Sequence, residues 1–220
     1  MWRNETWINL IIEGTTLSRK DNMENIQEEK LEDIAVEYLD KHKGPAFIMM
    51  SAMNIDRVVT AKNIAKRTNR LFLEDIYTAD IMTSIGMDME NTGVFMTGGD
   101  KQYEKLQRYP DIKIGKKRIA ETPFVMCVRA SMKNYLSKLN ELMSFEDGVL
   151  FYGMWKGYMD RAETKKFIEF MESKGVKVHI LHTSGHADSM TIKRLIEAVK
   201  PGKIIPVHTE NAKWFENYKY

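Results

Sequence analysis

Apolar runs alternate with amphipathic stretches along most of the chain. Continuous apolar runs are typical of strands buried on both faces, and apolar positions three or four residues apart are typical of helices that cover a sheet. We therefore predict strands at 10–12, 46–50, 71–73, 124–128, 149–152, 176–181 and 204–207, and helices at 23–42, 54–68, 132–143, 162–173 and 189–199. The stretch 86–122 contains Gly98-Gly99 and Tyr109-Pro110, which favour a loop or a small irregular excursion.

This order of elements predicts the fold class. Parallel strands need crossover connections, and helices between successive strands supply them. The sequence therefore predicts an α/β protein with three layers, in which helices cover both faces of a mostly parallel sheet.

Composition and charge narrow the possible functions. Of 220 residues, 43% are hydrophobic and 29% are charged, and 33 Lys and Arg against 31 Asp and Glu leave a net charge of +2. So small an excess excludes the broad basic surface of a general nucleic-acid coat protein, so any contact with a polyanion must be local. No run approaches the roughly 20 apolar residues that cross a bilayer, and we expect no contact with a membrane.

The single cysteine, Cys127, lies inside the apolar run 124–128. One cysteine forms neither an internal disulfide nor a zinc cage of thiolates, and a cysteine in an apolar strand is typical of a buried, unreactive thiol. We therefore expect a reducing, cytoplasmic location.

Several common catalytic signatures are absent from the sequence. It contains no G-x-x-x-x-G-K-[ST], no G-x-G-x-x-G, no G-x-S-x-G and no H-E-x-x-H. These absences argue against a P-loop nucleotide hydrolase, a dinucleotide-dependent dehydrogenase and an ordinary α/β-hydrolase.

The histidines near the carboxyl terminus are the strongest candidates for chemistry. His182, His186 and His208 occupy strand-end positions in the predicted order of elements, and the segment that contains His186 leads into a predicted helix. Open α/β sheets place ligand sites at the carboxyl ends of their strands. A strand-end histidine is also compatible with a purely structural role, and both interpretations stay open at this point.

The segment between these histidines has the composition of an anion site. The hydroxyls of Thr183 and Ser184, the small Gly185 and the backbone N–H groups at the start of the next helix are suited to hold a phosphate. His186 would then act as a proton donor or a charge partner. The neutral imidazole of His208, with Glu210 two residues further on, suits a metal ligand.

These residues resemble a known family. HTSGHAD (182–188) and KRLIEAVKPGKIIPVHTE (193–210) are similar to the carboxyl-terminal signature of the β-CASP branch of the metallo-β-lactamase fold. That branch includes ribonuclease J and the endonuclease that cleaves messenger-RNA precursors. Upstream, LIIEGTTLSR (10–19) resembles the acidic motif that opens the β-CASP domain, and SAMNIDRV (51–58) resembles a segment that contacts substrate. FVMCVRASM (124–132) and LFYGMWKGYM (150–159) look like core strands of bacterial members.

The resemblance implies a role for each matching residue. Glu13 would be a catalytic-site carboxylate that orients a metal-binding histidine without touching the metal, and His186 would be the acid or the phosphate-polarising group. His208 would be the last ligand of a zinc pair. RNA or another single-stranded nucleic acid would be bound by Ser51, Asn54, Arg57, His182, Thr183, Ser184 and Gly185.

The chain departs from the family pattern in one respect. The H-x-H-x-D-H motif, which supplies most of the metal ligands in the family, is absent. We therefore expect 1–20 to hold a residual metallo-β-lactamase strand with the acidic motif, 21–160 the β-CASP domain, and 161–220 the returning part of the metallo-β-lactamase domain.

The missing motif predicts that this chain binds no stable zinc and hydrolyses no RNA by itself. It would be the carboxyl-terminal part of a metal-dependent phosphodiesterase that acts on RNA, with DNA as the alternative substrate. Two alternatives stay open. The chain could be a metal-free nucleic-acid-binding or regulatory module, or a subunit completed by a partner chain or by a homo-oligomer.

Overall fold

The computed structural model describes residues 8–18, 28–183 and 185–218. The strands are Asn9–Glu13 (β1), Ala46–Met49 (β2), Leu71–Asp75 (β3), Thr92–Phe95 (β4), Phe124–Val128 (β5), Val149–Tyr152 (β6), Lys177–Ile180 (β7) and Lys203–Val207 (β8). The α-helices are Glu28–Lys41 (α1), Ile55–Arg67 (α2), Ile76–Ser84 (α3), Asp100–Leu106 (α4), Lys116–Ala120 (α5), Lys133–Asn140 (α6), Ala162–Glu172 (α7) and Ser189–Val199 (α8). None of the helices in these ranges is long and apolar enough to cross a membrane.

The described chain divides into two compact units. The larger one runs from the start of α1 to His182. It contains a six-stranded sheet in the order β4-β3-β5-β2-β6-β7, in which every pairing is parallel. All residues of β2, β5 and β6 are buried, because these strands lie inside the sheet with both faces covered. The predicted α/β class with a mostly parallel sheet is confirmed.

Side-chain caps begin two of the helices that follow strands of this sheet. The Oδ1 atom of Asn54 accepts a hydrogen bond from the Arg57 backbone N–H at 3.1 Å, and α2 begins at the next residue. Asp75 plays the same role for α3, since its Oδ1 accepts from the Thr78 N–H at 3.1 Å. Such caps satisfy N–H groups that have no partner inside the helix.

The smaller unit comprises the described residues 8–18, 183 and 185–218. Its strands β1 and β8 pair in parallel, and Glu13 lies opposite Val207. Ile12 and Leu17 pack with Ile192 and Ile196 of α8 and with Phe215 in a separate apolar core. A helix with a strongly apolar face thus closes one side of a two-stranded sheet.

The division of the structure does not coincide with the predicted boundary at residue 160. Strand β7 pairs with β6 over four residue positions, from Val149 opposite Lys177 to Tyr152 opposite Ile180. Residues 161–182 therefore belong to the larger compact unit. The assignment of 161–220 to the returning part of a metallo-β-lactamase domain stays a prediction.

Candidate functional site

Two predicted site residues lie at the carboxyl ends of the paired strands of the smaller unit. Glu13 is the last residue of β1, and His208 directly follows β8. Because the strands are parallel and Glu13 lies opposite Val207, the register brings Glu13 and His208 to the same edge. The backbone of His208 has a φ of 48°, a left-handed conformation that is uncommon for residues other than glycine.

His186 reaches the same edge from the loop before α8. The Ala187 N–H donates to Glu13 Oε1 at 3.1 Å, and the Thr16 hydroxyl donates to the Ala187 carbonyl at 2.6 Å. These two bonds attach the loop to the turn that follows β1. Helix α8 then begins at an Asp188 cap, whose Oδ1 accepts from the Thr191 N–H at 2.7 Å.

The three side chains form a compact cluster. His186 Nδ1 lies 3.3 Å from Glu13 Oε2, and the ring centroids of His186 and His208 are 5.4 Å apart. One ligand atom from each of the three lies within 4.8 Å of the others. The structure thus brings together the predicted acid, the predicted orienting carboxylate and the predicted metal ligand.

Thr15 links the carboxylate to His208. Its hydroxyl lies 2.6 Å from Glu13 Oε2, 3.1 Å from the His208 carbonyl and 3.2 Å from His208 Nδ1. The short contact with the carboxylate is the strongest of the three and takes the hydroxyl proton. The Thr15 oxygen then accepts from Nδ1–H, and this tautomer, inferred from the contacts, leaves the Nε2 lone pair of His208 available to a metal.

The same contacts keep Glu13 ionised. Partial burial acts to raise the pKa of Glu13, but the bonds from the Thr15 hydroxyl and N–H, the neighbouring His186 ring and the Ala187 N–H together hold it below its ordinary value. An ionised carboxylate at this position can orient an imidazole or bind a cation.

The donor set fits one zinc ion by its chemistry. Imidazole nitrogen and carboxylate oxygen are ordinary zinc ligands, and catalytic zinc takes three protein ligands and keeps one position open. Within 8–18, 28–183 and 185–218, the set Glu13, His186 and His208 is the one group of three or more His, Cys, Asp or Glu side chains with the spacing of a metal site. The described residues therefore provide ligands for one such ion and not for a pair.

Ser51 and Asn54, the predicted RNA contacts of the larger unit, follow the carboxyl end of β2. Both side chains are exposed. Ser51 Oγ lies 3.3 Å from the Met53 N–H, and the Ser51 carbonyl accepts from the Asn54 N–H at 3.1 Å. This tight turn holds both polar side chains at one edge of the six-stranded sheet.

Arg57 lies inside the larger unit, with 1% of its surface exposed. Its Nη1 donates to the carbonyls of Gly153 and Leu181 at 3.1 and 2.7 Å, and so binds backbone that follows β6 and β7. The structure therefore gives Arg57 a packing role, and the predicted contact with RNA would require the side chain to become exposed.

His182, at the end of β7, lies at the same edge as the Ser51 turn. Its Nδ1 lies 3.3 Å from the Gly153 carbonyl, and the side chain is half-buried. In the predicted phosphate loop, Thr183 is half-buried and Gly185 is exposed, with nothing within 4 Å of an added Cβ. Ser184 lies outside the described residues.

The sequence prediction missed two residues whose hydrogen bonds hold the cluster in place, Thr15 and Thr16. Their signal is the pair of hydroxyl residues directly after the strand-end Glu13, since hydroxyls beside a carboxylate commonly bond to it. Only the parallel register, which joins positions almost 200 residues apart in sequence, shows that Thr15 also contacts His208.

A solved structure similar to this chain is the crystal structure of a protein of unknown function from Enterococcus faecalis V583, with a TM-score of 0.72 and 16% identity. The match covers 96% of this chain and 48% of that one, so this chain spans about half the length of the protein it resembles. At this identity the likeness supports the fold. No curated protein matches the sequence.

The comparison with family models concerns the part of the chain that holds both histidines of the cluster. Residues 174–218 match a family described as "Zn-dependent metallo-hydrolase RNA specificity domain". This segment contains β7, α8 and β8, and therefore His182, His186 and His208. Through this segment the chain is similar to the RNA specificity domain of zinc-dependent metallo-hydrolases.

Proposed function

We propose that this chain is the carboxyl-terminal part of a β-CASP-type, zinc-dependent hydrolase of RNA phosphodiester bonds. The observation that carries the proposal is the convergence of Glu13, His186 and His208 within 4.8 Å, with both histidines inside the segment that matches the metallo-hydrolase family.

In the isolated chain, Glu13, His186 and His208 together would hold one zinc ion. In the complete enzyme, where residues outside this chain would supply the other ligands, the three side chains would have separate tasks. His208 binds zinc through Nε2, and Thr15 holds its ring by the Nδ1–H contact of 3.2 Å. Glu13 positions His186 through the contact of 3.3 Å. His186 donates a proton to the phosphate or polarises it, and the Thr183 hydroxyl contributes to phosphate binding. When bound, zinc acts as a Lewis acid toward a phosphoryl oxygen.

We also propose that the isolated chain does not hydrolyse RNA. An in-line displacement between two metal ions needs ligands for both ions, whereas the described residues supply one group of three donors. The remaining ligands would come from residues outside this chain. The exposed turn at Ser51 and Asn54, together with His182, would position the RNA backbone.

Zinc binding by the purified chain, measured calorimetrically against a competing chelator, tests the metal part. The three converging donors revise the sequence-based expectation of no stable zinc, and we expect one zinc per chain and a loss of that binding in His208→Ala. Thr15→Val, which keeps the side-chain shape but removes the hydroxyl, should weaken zinc by about 10- to 100-fold, and Thr15→Ser should restore it. His179→Ala, which removes an exposed histidine of the larger unit, is the matched control and should bind zinc normally.

The outcomes separate the candidate functions. If His208→Ala binds zinc as the unchanged chain does, the cluster is not the metal site. If the chain binds no zinc but binds single-stranded RNA with marked salt dependence, it is a metal-free binding module instead. RNA cleavage by the isolated, zinc-loaded chain would overturn the proposal that its site is incomplete.

A further inference from the structure

The loop after β6 carries an exposed aromatic side chain that the proposed function does not use. Trp155 lies three residues beyond the end of β6, and 56% of its surface is exposed. Exposed tryptophan is uncommon, because burying an indole removes a large apolar area from water. A tryptophan held in solvent is therefore informative when its position is fixed by its neighbours.

The surroundings of Trp155 fix its ring. An added Cβ at Gly157 would lie 2.3 Å from two atoms of the indole, so the ring packs directly against the Gly157 backbone, and no other residue type leaves room for it. The Tyr158 ring meets the indole edge-on, with centroids 5.3 Å apart. The Tyr152 hydroxyl lies 3.4 Å from the Trp155 carbonyl, which ties the loop to the end of β6.

Positive charge accompanies the aromatic pair. The Arg161 guanidinium stacks on Tyr158 at 3.8 Å from the ring centroid, and the exposed Lys156 directly follows Trp155. Neither cation forms a salt bridge with a described carboxylate. An exposed aromatic ring with cations in the same loop is a combination suited to single-stranded nucleic acid, since bases stack on the ring and phosphates meet the cations.

The position of this loop in the sheet agrees with that chemistry. Strand β6 lies between β2 and β7 in the sheet order, and the three strands are parallel. The loop after β6 therefore emerges at the same edge as Ser51 and Asn54 after β2 and His182 after β7. This edge of the larger unit carries hydroxyl, amide, imidazole, indole and ammonium groups.

We propose that Trp155 is a stacking platform for an unpaired base of single-stranded RNA, with Lys156 and Arg161 holding the adjacent phosphates. The inference rests on the proposed function in assuming that the ligand is RNA, and it adds a base contact to backbone contacts. Because every base has an aromatic face, the platform binds without strict sequence preference and favours purines, which stack over a larger area.

Fluorescence anisotropy with a labelled single-stranded oligoadenylate at low salt tests the platform. Trp155→Ala should weaken binding by about 5- to 100-fold, the range that loss of one stacked base produces. Trp155→Phe, which keeps an aromatic face, should retain most of the affinity. Gly157→Ala should weaken binding although the indole is still present, because the new methyl group displaces the ring. Tyr103→Ala removes another exposed aromatic ring of the same unit and should change nothing.

Two further measurements identify the contact. The salt dependence of binding should be the same in Trp155→Ala and the unchanged chain, because phosphate contacts and not stacking release counterions. Adenosine monophosphate should compete poorly if the platform binds a strand, and well if it binds a free nucleotide, which would overturn the assignment to RNA. The indole emission of the unchanged chain, but not of Trp155→Phe, should fall when oligoadenylate binds.

Failure of this inference is distinguishable from failure of the proposed function. If the unchanged chain binds oligoadenylate and Trp155→Ala binds it equally well, the platform is wrong and the RNA function stands. If the unchanged chain binds no RNA, the RNA part of the proposed function fails, and the platform fails with it. Circular dichroism of each variant establishes that the fold is retained.

Discussion

Glu74 should make the stability of the folded protein depend on pH, and a single substitution should remove this dependence. It lies in β3 with 1% of its surface exposed, and neither carboxylate oxygen has a hydrogen-bond partner among the described residues. Burial raises the pKa of Glu74 to about 8; Lys62 lowers it, and Asp75 raises it further. The carboxyl group is therefore protonated in the folded protein at neutral pH.

Lys62 does not neutralise Glu74, because its ammonium binds elsewhere. It donates to the Asp88 carbonyl and lies 3.7 Å from the Asp88 carboxylate. Glu74, Lys62 and Asp88 line one small cavity together with mostly apolar side chains such as Val58 and Phe72. An ionised Glu74 would thus be removed from water in largely apolar surroundings, and this burial raises its pKa.

The magnitude follows from the difference between the folded and unfolded pKa values. The unfolded chain releases the Glu74 proton near pH 4.5, whereas the folded protein keeps it up to about pH 8. In this interval the folded state binds the extra proton, so stability falls as pH rises, by about 1.4 kcal/mol per pH unit. The loss is absent below pH 4.5, reaches about 3 kcal/mol at pH 7, and levels off near 5 kcal/mol above pH 8.

Glu74→Gln keeps the shape of the protonated side chain and has no proton to lose. Urea unfolding of both proteins between about pH 5 and pH 9 should show the variant gaining stability relative to the unchanged chain as pH rises to 8, with a constant difference beyond it. Gln adds a fixed offset that does not alter this slope. Glu90→Gln removes an exposed carboxylate nearby and is the control. A stability difference independent of pH would refute the reasoning.

Three further predictions concern buried groups of the larger unit. Tyr135→Phe should raise the free energy of unfolding by about 1 kcal/mol in thermal denaturation, because the buried Tyr135 hydroxyl has no partner among the described residues. Arg57→Met should lower the free energy of unfolding by roughly 2 to 4 kcal/mol, since the carbonyls of Gly153 and Leu181 each lose a charged donor. An unchanged midpoint of thermal denaturation would contradict the packing role of Arg57. Cys127, whose thiol pKa is raised by burial and by the charges of Glu74 and Asp75, should react with a thiol reagent only after unfolding, and rapid labelling of the native protein would show that β5 is accessible.

The sequence predicted the central strands closely because their signal is local. The apolar runs at 124–128 and 149–152 coincide with β5 and β6, and helix α8 has the predicted bounds. Each of these elements has a continuous apolar run or one clear apolar face, and polar residues or glycine mark its ends. Such a pattern needs no knowledge of the partner element.

Strand β4 was missed for a physical reason. The predicted loop 86–122 contains this strand and the helices α4 and α5, so the prediction of an irregular excursion is wrong for these elements. The strand is only Thr92–Phe95, and its glycine weakens the apolar pattern. An added Cβ at Gly93 would lie 2.8 Å from the Leu73 side chain, so the residue that hides the strand is the one that lets it pack against β3.

The candidate site was predictable by residue type but not by contact. The identities of His186 and His208 follow from strand-end positions and from the resemblance of their segments. The bridge from Glu13 through Thr15 to His208 depends on the register of β1 and β8, which carries no local signal. For Arg57 the residue type was misleading. A guanidinium close in sequence to the polar Ser51 and Asn54 suggests a surface contact, yet the side chain is buried and donates to the carbonyls of Gly153 and Leu181.

In both sheets the candidate functional side chains lie at the carboxyl ends of parallel strands. Different contacts hold them in place in the two units. In the smaller unit a carboxylate accepts the hydrogen bonds that fix the cluster, so changes at Thr15 act on a histidine that binds metal. In the larger unit the backbone packs against an indole, so changes at Gly157 act on a ring that faces solvent. Thr15→Val should therefore weaken zinc binding, and Gly157→Ala should leave it unchanged. Gly157→Ala should weaken the binding of RNA by the metal-free chain, and Thr15→Val should leave that affinity unchanged. A variant that altered both affinities equally would indicate loss of folding rather than loss of a contact.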